Sequence, residues 1–337
     1  MIRRLWPAAL LALITVCIFA AAPAISLGNL NLGVTLLCYL AIAQAWNVLG
    51  GYSGQVSLGA AAFVSTGAYT TALLLIHTGI AWPLALAGAG ASAALLAALL
   101  AVPLLRLHGD YFAVGTLAIS IAIQALISNW QWAGGASGLT LPISAVPSGA
   151  KLFQIAVLIA AIAMAVILYV RQSAFGLRLA AIRDNEPAAA GLGVWVTGHR
   201  LAVLLISSAV TGFAGAVIAF QFLVVSPDQV ASLSWSLNAL LMSIVGGAGT
   251  VMGPVLGVFI VYYGLTYALQ DQQTLSQVLE GVLLVVIVRF APQGVWPLLC
   301  TGPRRLLRMS RRPETGPGVP AAADTAALAE VESADLV

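Results

Sequence analysis

The fold class predicted by the sequence is an all-α, polytopic integral membrane helix bundle with about 8–10 transmembrane helices, some of them broken. Of the 337 residues, 61% are hydrophobic and 7% are charged, and the mean hydropathy is +1.01. Soluble domains are about 45–50% apolar and about 25% charged. Apolar runs recur along the chain, and the arginines lie in a few regions between them. Lipid is therefore expected to be the main solvent of this protein.

Ten apolar runs approach the length of about 20 residues that crosses a bilayer as a helix, at 8–26, 30–49, 56–76, 80–104, 111–129, 152–170, 201–222, 235–250, 252–270 and 275–291. The run 235–250 is short, and the second and third runs can form one interrupted element. The first run follows Arg3 and Arg4 as a signal peptide would. Its length and the spans after it favour an uncleaved first span.

The distribution of basic residues predicts the orientation in the membrane. They lie before the first run, after the fourth, between the sixth and seventh, and after the last: Arg3, Arg4, Arg106, Arg171, Arg178, Arg183, Arg200, Arg304, Arg305, Arg308, Arg311 and Arg312. Ten crossings with both termini cytoplasmic place all of these inside and leave Lys151 outside. We therefore expect a multi-pass protein of the bacterial inner membrane.

Residues 1–300 are predicted to form the transmembrane domain, with a cytoplasmic loop at 171–200. Residues 301–337 are rich in Pro, Gly, Ala and acidic residues and contain few large hydrophobic side chains. Such a segment cannot bury enough apolar surface to offset the entropy of ordering it. It is predicted to be a disordered cytoplasmic tail without a specific role.

Two glycine-rich stretches, 47–69 and 243–259, interrupt apolar sequence. Unwound backbone at membrane depth persists only inside protein or beside a watery cavity, and paired interruptions in the two halves of a transporter indicate a translocation pathway. The alternative for any one residue is close helix packing with polar groups bonded to neighbouring backbone. The predicted pathway residues are Tyr52, Ser53, Gly54, Gln55, Ser57, Gly59, Phe63, Gly246 and Gly247.

Two further features have simpler interpretations. Trp130 and Trp132 fit an interfacial aromatic belt, although the following GGASGL can form part of an outward-facing docking surface. Glu280 lies a turn or so into the last run. A charge at the centre of a span costs about 2.5–3.5 kcal/mol on insertion scales. Glu280 is therefore interpreted as structural and close to the outer interface.

Motifs for independent catalysis are missing from the sequence. No phosphate-binding G-x-x-x-x-G-K-[ST] motif occurs, and no carboxylate pair lies within a predicted span, which weakens a proton-driven mechanism. The cysteines and histidines are scattered, without metal-ligand spacing: Cys17, Cys38, Cys300, His77, His108 and His199. We expect no catalytic site, metal site or cofactor in this chain.

The 171–200 segment is the longest charged region between spans. Helical spacing places Phe175, Leu179 and Ile182 along one side of a first short helix. The small side chains that follow are Ala188, Ala189 and Ala190, and they are expected to form a shallow knob that another protein's groove can approach.

Capping signals within the segment predict a second short helix. Asp184 and Asn185 can cap its N-terminus, and Pro187 is tolerated in a first turn. Gly191 and Gly193 then end it. A docking role is favoured over a plain connector, because long ordered loops are usually functional.

These stretches together resemble the permeases of branched-chain amino acid ABC importers, specifically the LivM-like subunit. The resemblance runs in order from about residue 40 to 290 and rests on NVLGGYSGQVSLGAAAFVSTGAYTTALL, GDYFAVGTLAISIAIQ, GGASGLT, SAFGLRLAAIRDNEPAAAGLGV and SIVGGAGTVMGPVLGVF. The N-terminal span and the tail are weakly matched or unmatched.

The resemblance implies a transport subunit that imports branched-chain or related hydrophobic amino acids. It implies as partners a second homologous permease, two cytoplasmic ATPases that bind ATP and Mg, and a periplasmic or lipid-anchored binding protein; nucleic acid is not among them. The family's E-A-A-like docking signature on the cytoplasmic coupling helix falls on Glu186, Ala188, Ala189 and Gly193, beside Arg183. Pro187 interrupts the usual run, so the helix is expected to start one residue late.

Other functions remain open at this point. The same architecture can import urea or short amides, because substrate choice is expected to reside largely in the binding protein. A stand-alone secondary transporter or channel is a more distant alternative. A membrane enzyme is a third class, which no catalytic constellation supports.

Overall fold

A computed structural model describes residues 11, 13, 15–19, 27–269, 272–290 and 293–301. The predicted first span is largely outside these residues, and the predicted tail is outside them except for Thr301. Contacts divide the chain into two units, Met1–Pro297 and Leu298–Val337. All that follows concerns the first unit.

The described residues are almost entirely helical. The helices are α1 (Leu27–Trp46), α2 (Ala60–Leu73), α3 (Trp82–Leu104), α4 (Asp110–Asn129), α5 (Gly149–Gln172), α6 (Ala174–Asp184), α7 (Glu186–Gly191), α8 (Val196–Phe222), α9 (Pro227–Val230), α10 (Ser234–Gly246), α11 (Gly253–Val258), α12 (Gln273–Phe290) and α13 (Val295–Thr301).

Wider π-helical turns continue three of these helices, and short elements connect others. The π-helical turns are Asn47–Tyr52 after α1, Leu74–Thr78 after α2 and Phe259–Tyr267 after α11; the 3-10 turns are Gln131–Ala133, Gly135–Ser137 and Ile143–Ala145; and β1 (Leu139–Thr140) pairs antiparallel with β2 (Val224–Val225).

Seven helical segments in the described part are long and apolar enough to cross a membrane, and two shorter apolar helices follow them, Gly253–Tyr267 and Val278–Ile287. The predicted all-α membrane bundle is thereby confirmed. The second and third apolar runs are two separate helices, Gly28–Tyr52 and Ala60–Thr78. The short run at 235–250 belongs to a longer helical segment, Pro227–Gly246.

Helix α8 forms the centre of the bundle and packs against α1, α2, α3 and α5. Small residues allow this packing, because backbones approach closely only where side chains are absent. A methyl group on Gly67 would collide with the carbonyl of Gly212, and one on Gly215 would collide with the carbonyl of Val64. The core of the bundle is therefore made by backbone contact as well as by side chains.

The loops gather at two ends of the bundle. At one end, which we call the arginine end, the chain carries Arg106, Arg171, Arg178, Arg183 and Arg200. The opposite end contains the β1–β2 pair and the stacked rings of His77 and Trp132, whose centroids are 4.6 Å apart. The arginine end is the one that the charge distribution predicts to be cytoplasmic.

Candidate functional site

The first glycine-rich break is an extended stretch between Ser53 and Gly59, and neighbouring helices satisfy its backbone. Trp46 donates from Nε1 to the Ser57 carbonyl across 2.8 Å. Three hydroxyls from other helices complete the pairing: Thr116 accepts from the Leu58 amide, Ser120 donates to the Leu58 carbonyl, and Ser236 accepts from the Ala61 amide. Such pairing is what permits unwound backbone at membrane depth.

Most of the predicted pathway residues are buried in this break or near it. Tyr52 is half-buried and Gly54 is exposed, whereas the buried residues are Ser53, Gln55, Ser57, Gly59, Phe63, Gly246 and Gly247. Ser53 donates to the Leu49 carbonyl across 2.6 Å, and Ser57 accepts from the Gly59 amide across 3.1 Å. Their polar groups thus bond to the chain's own backbone, and their role in a pathway stays a prediction.

The second break lies against the first, and two buried side chains of α1 join them. Asn47 accepts from the Gly249 amide across 2.7 Å and donates to the Thr250 carbonyl across 2.8 Å. Gln44 donates to the Val251 carbonyl across 3.0 Å. Both side chains are fully buried. The sequence analysis missed this joint, although two amides in an otherwise apolar run were the available signal.

Glycine is required where the two breaks touch. A methyl group on Gly51 would collide with the Gly249 amide, and Gly249 itself has a φ of +77°. Residues with a side chain rarely adopt that conformation. The contact between the breaks therefore rests on two glycines about 200 residues apart in the chain.

Arg183 connects the 171–200 segment to this joint. Its Nη1 donates to the Gly51 carbonyl across 3.1 Å, and its Nε donates to Asp184 across 3.0 Å. The same side chain also approaches Gly54 and Gly249. One guanidinium at the arginine end therefore contacts both breaks.

The 171–200 segment folds as the capping pattern predicts. Asn185 accepts from the Ala188 amide across 3.0 Å, so α7 begins at Glu186 with Pro187 in its first turn. Gly193 follows the helix with a φ of +81°. On α6, Leu179 and Ile182 are buried against the bundle. These two short helices form a fixed corner at the arginine end.

Glu186 anchors this corner to α8. Its two carboxylate oxygens accept from Nη1 and Nη2 of Arg200, across 2.9 and 2.6 Å. The side chains are 30% and 11% exposed, respectively. His108, from the loop between α3 and α4, places Nε2 3.7 Å from the same carboxylate. A two-point arginine–carboxylate pair is among the stronger and more directional polar contacts in proteins.

The prediction of a knob of three alanines is wrong for Ala189, whose side chain is 2% exposed. It lies on the face of α7 that turns toward the chain, whereas Ala188 and Ala190 face outward. The outward surface also carries large apolar side chains, Leu177, Leu192 and Trp195, which are 75%, 84% and 74% exposed. We call Leu177, Ala188, Ala190, Leu192 and Trp195 the docking face.

A polar cavity of about 480 Å³ lies between α1, α10, the Phe259–Tyr267 turns and α12. Glu280 lines it and accepts hydrogen bonds from Thr266 across 2.9 Å and from Ser276 across 3.2 Å. Its other described lining residues are Tyr39, Ser232, Ser234, Asn238, Tyr262, Tyr267 and Leu269, and none of the predicted pathway residues is among them. The interpretation of Glu280 as a purely structural residue did not anticipate this cavity.

In the described part of the chain, no group of three or more His, Cys, Asp or Glu side chains is arranged to hold a metal ion. Both described cysteines that are exposed, Cys17 and Cys300, and the buried Cys38 are unpaired thiols. The chemistry that the geometry offers is therefore binding and movement rather than bond making.

Comparison with known proteins gives a consistent result. Residues 28–288 match the family described as branched-chain amino acid transport system, permease component. The chain is 28% identical over 310 residues to the high-affinity branched-chain amino acid transport system permease proteins LivM of Salmonella typhimurium and Escherichia coli, covering 81% of this chain and 71% of each of them. A probable branched-chain amino acid transport permease protein LivM of Methanocaldococcus jannaschii is 29% identical over 219 residues, 59% of this chain and 64% of that protein. No solved structure matches.

Proposed function

From membership of the branched-chain amino acid permease family, to which this multi-pass inner-membrane chain belongs, we propose that it is the permease subunit of an ABC importer. It translocates branched-chain or related hydrophobic amino acids into the cytoplasm. ATP hydrolysis on two partner ATPase subunits drives the transport, a second homologous permease completes the membrane part, and an external binding protein delivers the substrate.

The observation that carries this proposal is the contact of Arg183 with both glycine-rich breaks. Asn185, Glu186 and Arg200 hold the rest of the 171–200 segment as a rigid corner. A rigid corner fixed to unwound backbone is suited to transmit motion from a partner at the membrane surface to the spans. We call it the coupling segment from here on.

The docking face gives the coupling segment a surface for that partner. Exposed leucine and tryptophan side chains beside small alanines, on the arginine end, fit the apolar core of a protein interface. The mechanism follows in two steps. Closure of the ATPase dimer moves the docking face, and Arg183 carries that movement to the joint between the breaks. For the motion to shift the access equilibrium, the ATPases must contact the two states of the permease differently.

Reconstitution into proteoliposomes tests the proposed function. The chain is co-purified with its ATPases and sister permease, and leucine uptake is measured with ATP, with a non-hydrolysable ATP analogue and without nucleotide. ATP-dependent uptake that requires the ATPases is the expected result. Uptake by the isolated chain without ATP would instead establish a secondary transporter, and preference for urea or acetamide over leucine would change the cargo.

A further inference from the structure

The polar cavity around Glu280 lies toward the end of the bundle opposite the arginine end. Ser232 and Ser234 are at the start of α10, and Ser276 is in the first turn of α12. A volume of about 480 Å³ is within the range of small-molecule sites. Substrate delivered from outside the cell would reach this cavity before it reaches the coupling segment.

Glu280 is the sole charged side chain among the described lining residues of this cavity. Its Oε1 accepts from the hydroxyls of Thr266 and Ser276. These two bonds orient the carboxylate, and a carboxylate can accept about four hydrogen bonds in all. A carboxylate kept in an apolar segment is costly and is usually functional. It therefore favours a ligand that carries a positive charge.

A second, apolar cavity of about 380 Å³ adjoins the first. The two share Ser234, Asn238 and Glu280. The remainder of the second cavity is formed by glycine and leucine side chains: Leu233, Leu237, Leu240, Leu241, Gly281 and Leu284. A charged and polar compartment thus meets a leucine-lined compartment along one row of residues, which suits a molecule with one polar end and one branched apolar end.

We propose that these two cavities form the binding site for the transported amino acid, an inference that rests on the proposed function and adds its location. Glu280 binds the α-ammonium group. The amide of Asn238 and the hydroxyls of Ser232 and Ser234 bind the α-carboxylate. The leucine-lined compartment holds the branched side chain.

Ligand-induced stabilisation tests this site on the purified full-length chain in lipid nanodiscs, because all the proposed contacts come from this chain. A ligand that binds only the folded state raises Tm. Leucine is compared with 4-methylpentanoate, which lacks the ammonium group, and with 3-methylbutylamine, which lacks the carboxylate. Leucine and the amine should raise Tm, and 4-methylpentanoate should not.

The variant Glu280→Gln should weaken leucine binding by about tenfold or more, since it removes a charged partner, and Glu280→Asp should have a smaller effect. Asp228→Asn is the matched control: it removes an exposed carboxylate near the same end but outside both cavities, and should bind leucine as the wild type does. Tm without ligand shows that each variant is folded.

Three outcomes overturn the site: no leucine-dependent shift in the wild type up to the solubility limit, an equal shift in Glu280→Gln, or an equal shift with 4-methylpentanoate. ATP-dependent leucine uptake by the assembled transporter is measured in parallel. If uptake persists while the shift is absent, the site falls and the proposed function stands. If uptake by the wild type does not depend on ATP, the proposed function falls.

Discussion

The guanidinium of Arg183 donates a hydrogen bond to the backbone carbonyl of Gly51 across 3.1 Å. The two residues belong to different parts of the bundle, the coupling segment and the first break, and they are 132 positions apart. Gly51 in turn lies against Gly249 of the second break. Movement of the coupling segment therefore has a direct polar route to both interruptions of the membrane helices.

Arg183→Ala is expected to uncouple transport from ATP hydrolysis. A hydrogen bond to a charged group contributes about 1.5–3 kcal/mol, and because this side chain is 42% exposed we expect the lower end. Leucine uptake should fall by about tenfold, whereas ATPase subunits should still co-purify. Arg178→Ala, an exposed arginine on the same helix, is the control and should retain uptake. Full uptake in Arg183→Ala would remove this contact from the mechanism.

Asn47→Ala is expected to destabilise the joint between the breaks. The substitution leaves the Gly249 amide and the Thr250 carbonyl without their partner. Each unpaired buried group costs about 1–3 kcal/mol, so the free energy of unfolding should fall by about 2–4 kcal/mol. Denaturant titration in mixed micelles measures this value. Asn129→Ala removes an exposed amide that bonds only within its own helix, and a comparable loss there would show that the effect is not specific to the joint.

Glu186→Gln is expected to loosen α7 from α8, because Arg200 is 11% exposed and loses its charged partner. The expected loss is about 1.5–3 kcal/mol in the free energy of unfolding. Arg200→Gln should cost a similar amount. In a double-mutant cycle, the two losses should be strongly non-additive if the pair acts as one unit. Additive losses would mean that Glu186 and Arg200 contribute independently.

Ala188→Trp is expected to block recruitment of the ATPases, since Ala188 is on the exposed side of α7 and a large side chain would hold a partner's groove away. Co-purification of the ATPases should fall by about tenfold or more, while Tm stays within about 2 °C of the wild type. Ala87→Trp, at an exposed position within a span, controls for the added tryptophan. Undiminished co-purification of Ala188→Trp would exclude the docking face from the interface.

Local signals in the sequence predicted the local structure. The apolar runs mark the helices, and Asn185, Pro187 and Gly193 specify where α7 begins and ends, because a helix cap is determined by residues a few positions apart. The bundle and the two breaks could therefore be predicted without coordinates.

Contacts between distant residues could not be predicted in this way. Asn47 and Gly249 are 202 positions apart, and neither carries a local signal that names the other. Ala189 is buried because of how α7 lies on the bundle, which the order of small residues does not specify. The cavity around Glu280 arises only when helices from both halves of the chain pack together.

Gln55 distinguishes the two interpretations of the first break. Its side chain is 6% exposed, and its Oε1 lies 3.5 Å from the hydroxyl of Ser53. If Gln55 lines the pathway in another state of the transporter, Gln55→Ala should change leucine uptake by about threefold or more at unchanged Tm and subunit composition. If it serves only as scaffold, stability should fall by about 1 kcal/mol and uptake per folded complex should be unchanged. We expect the first result, because backbone–backbone and inter-helix bonds already hold the break. Gln172→Ala, at an exposed position at the end of α5, should alter neither quantity.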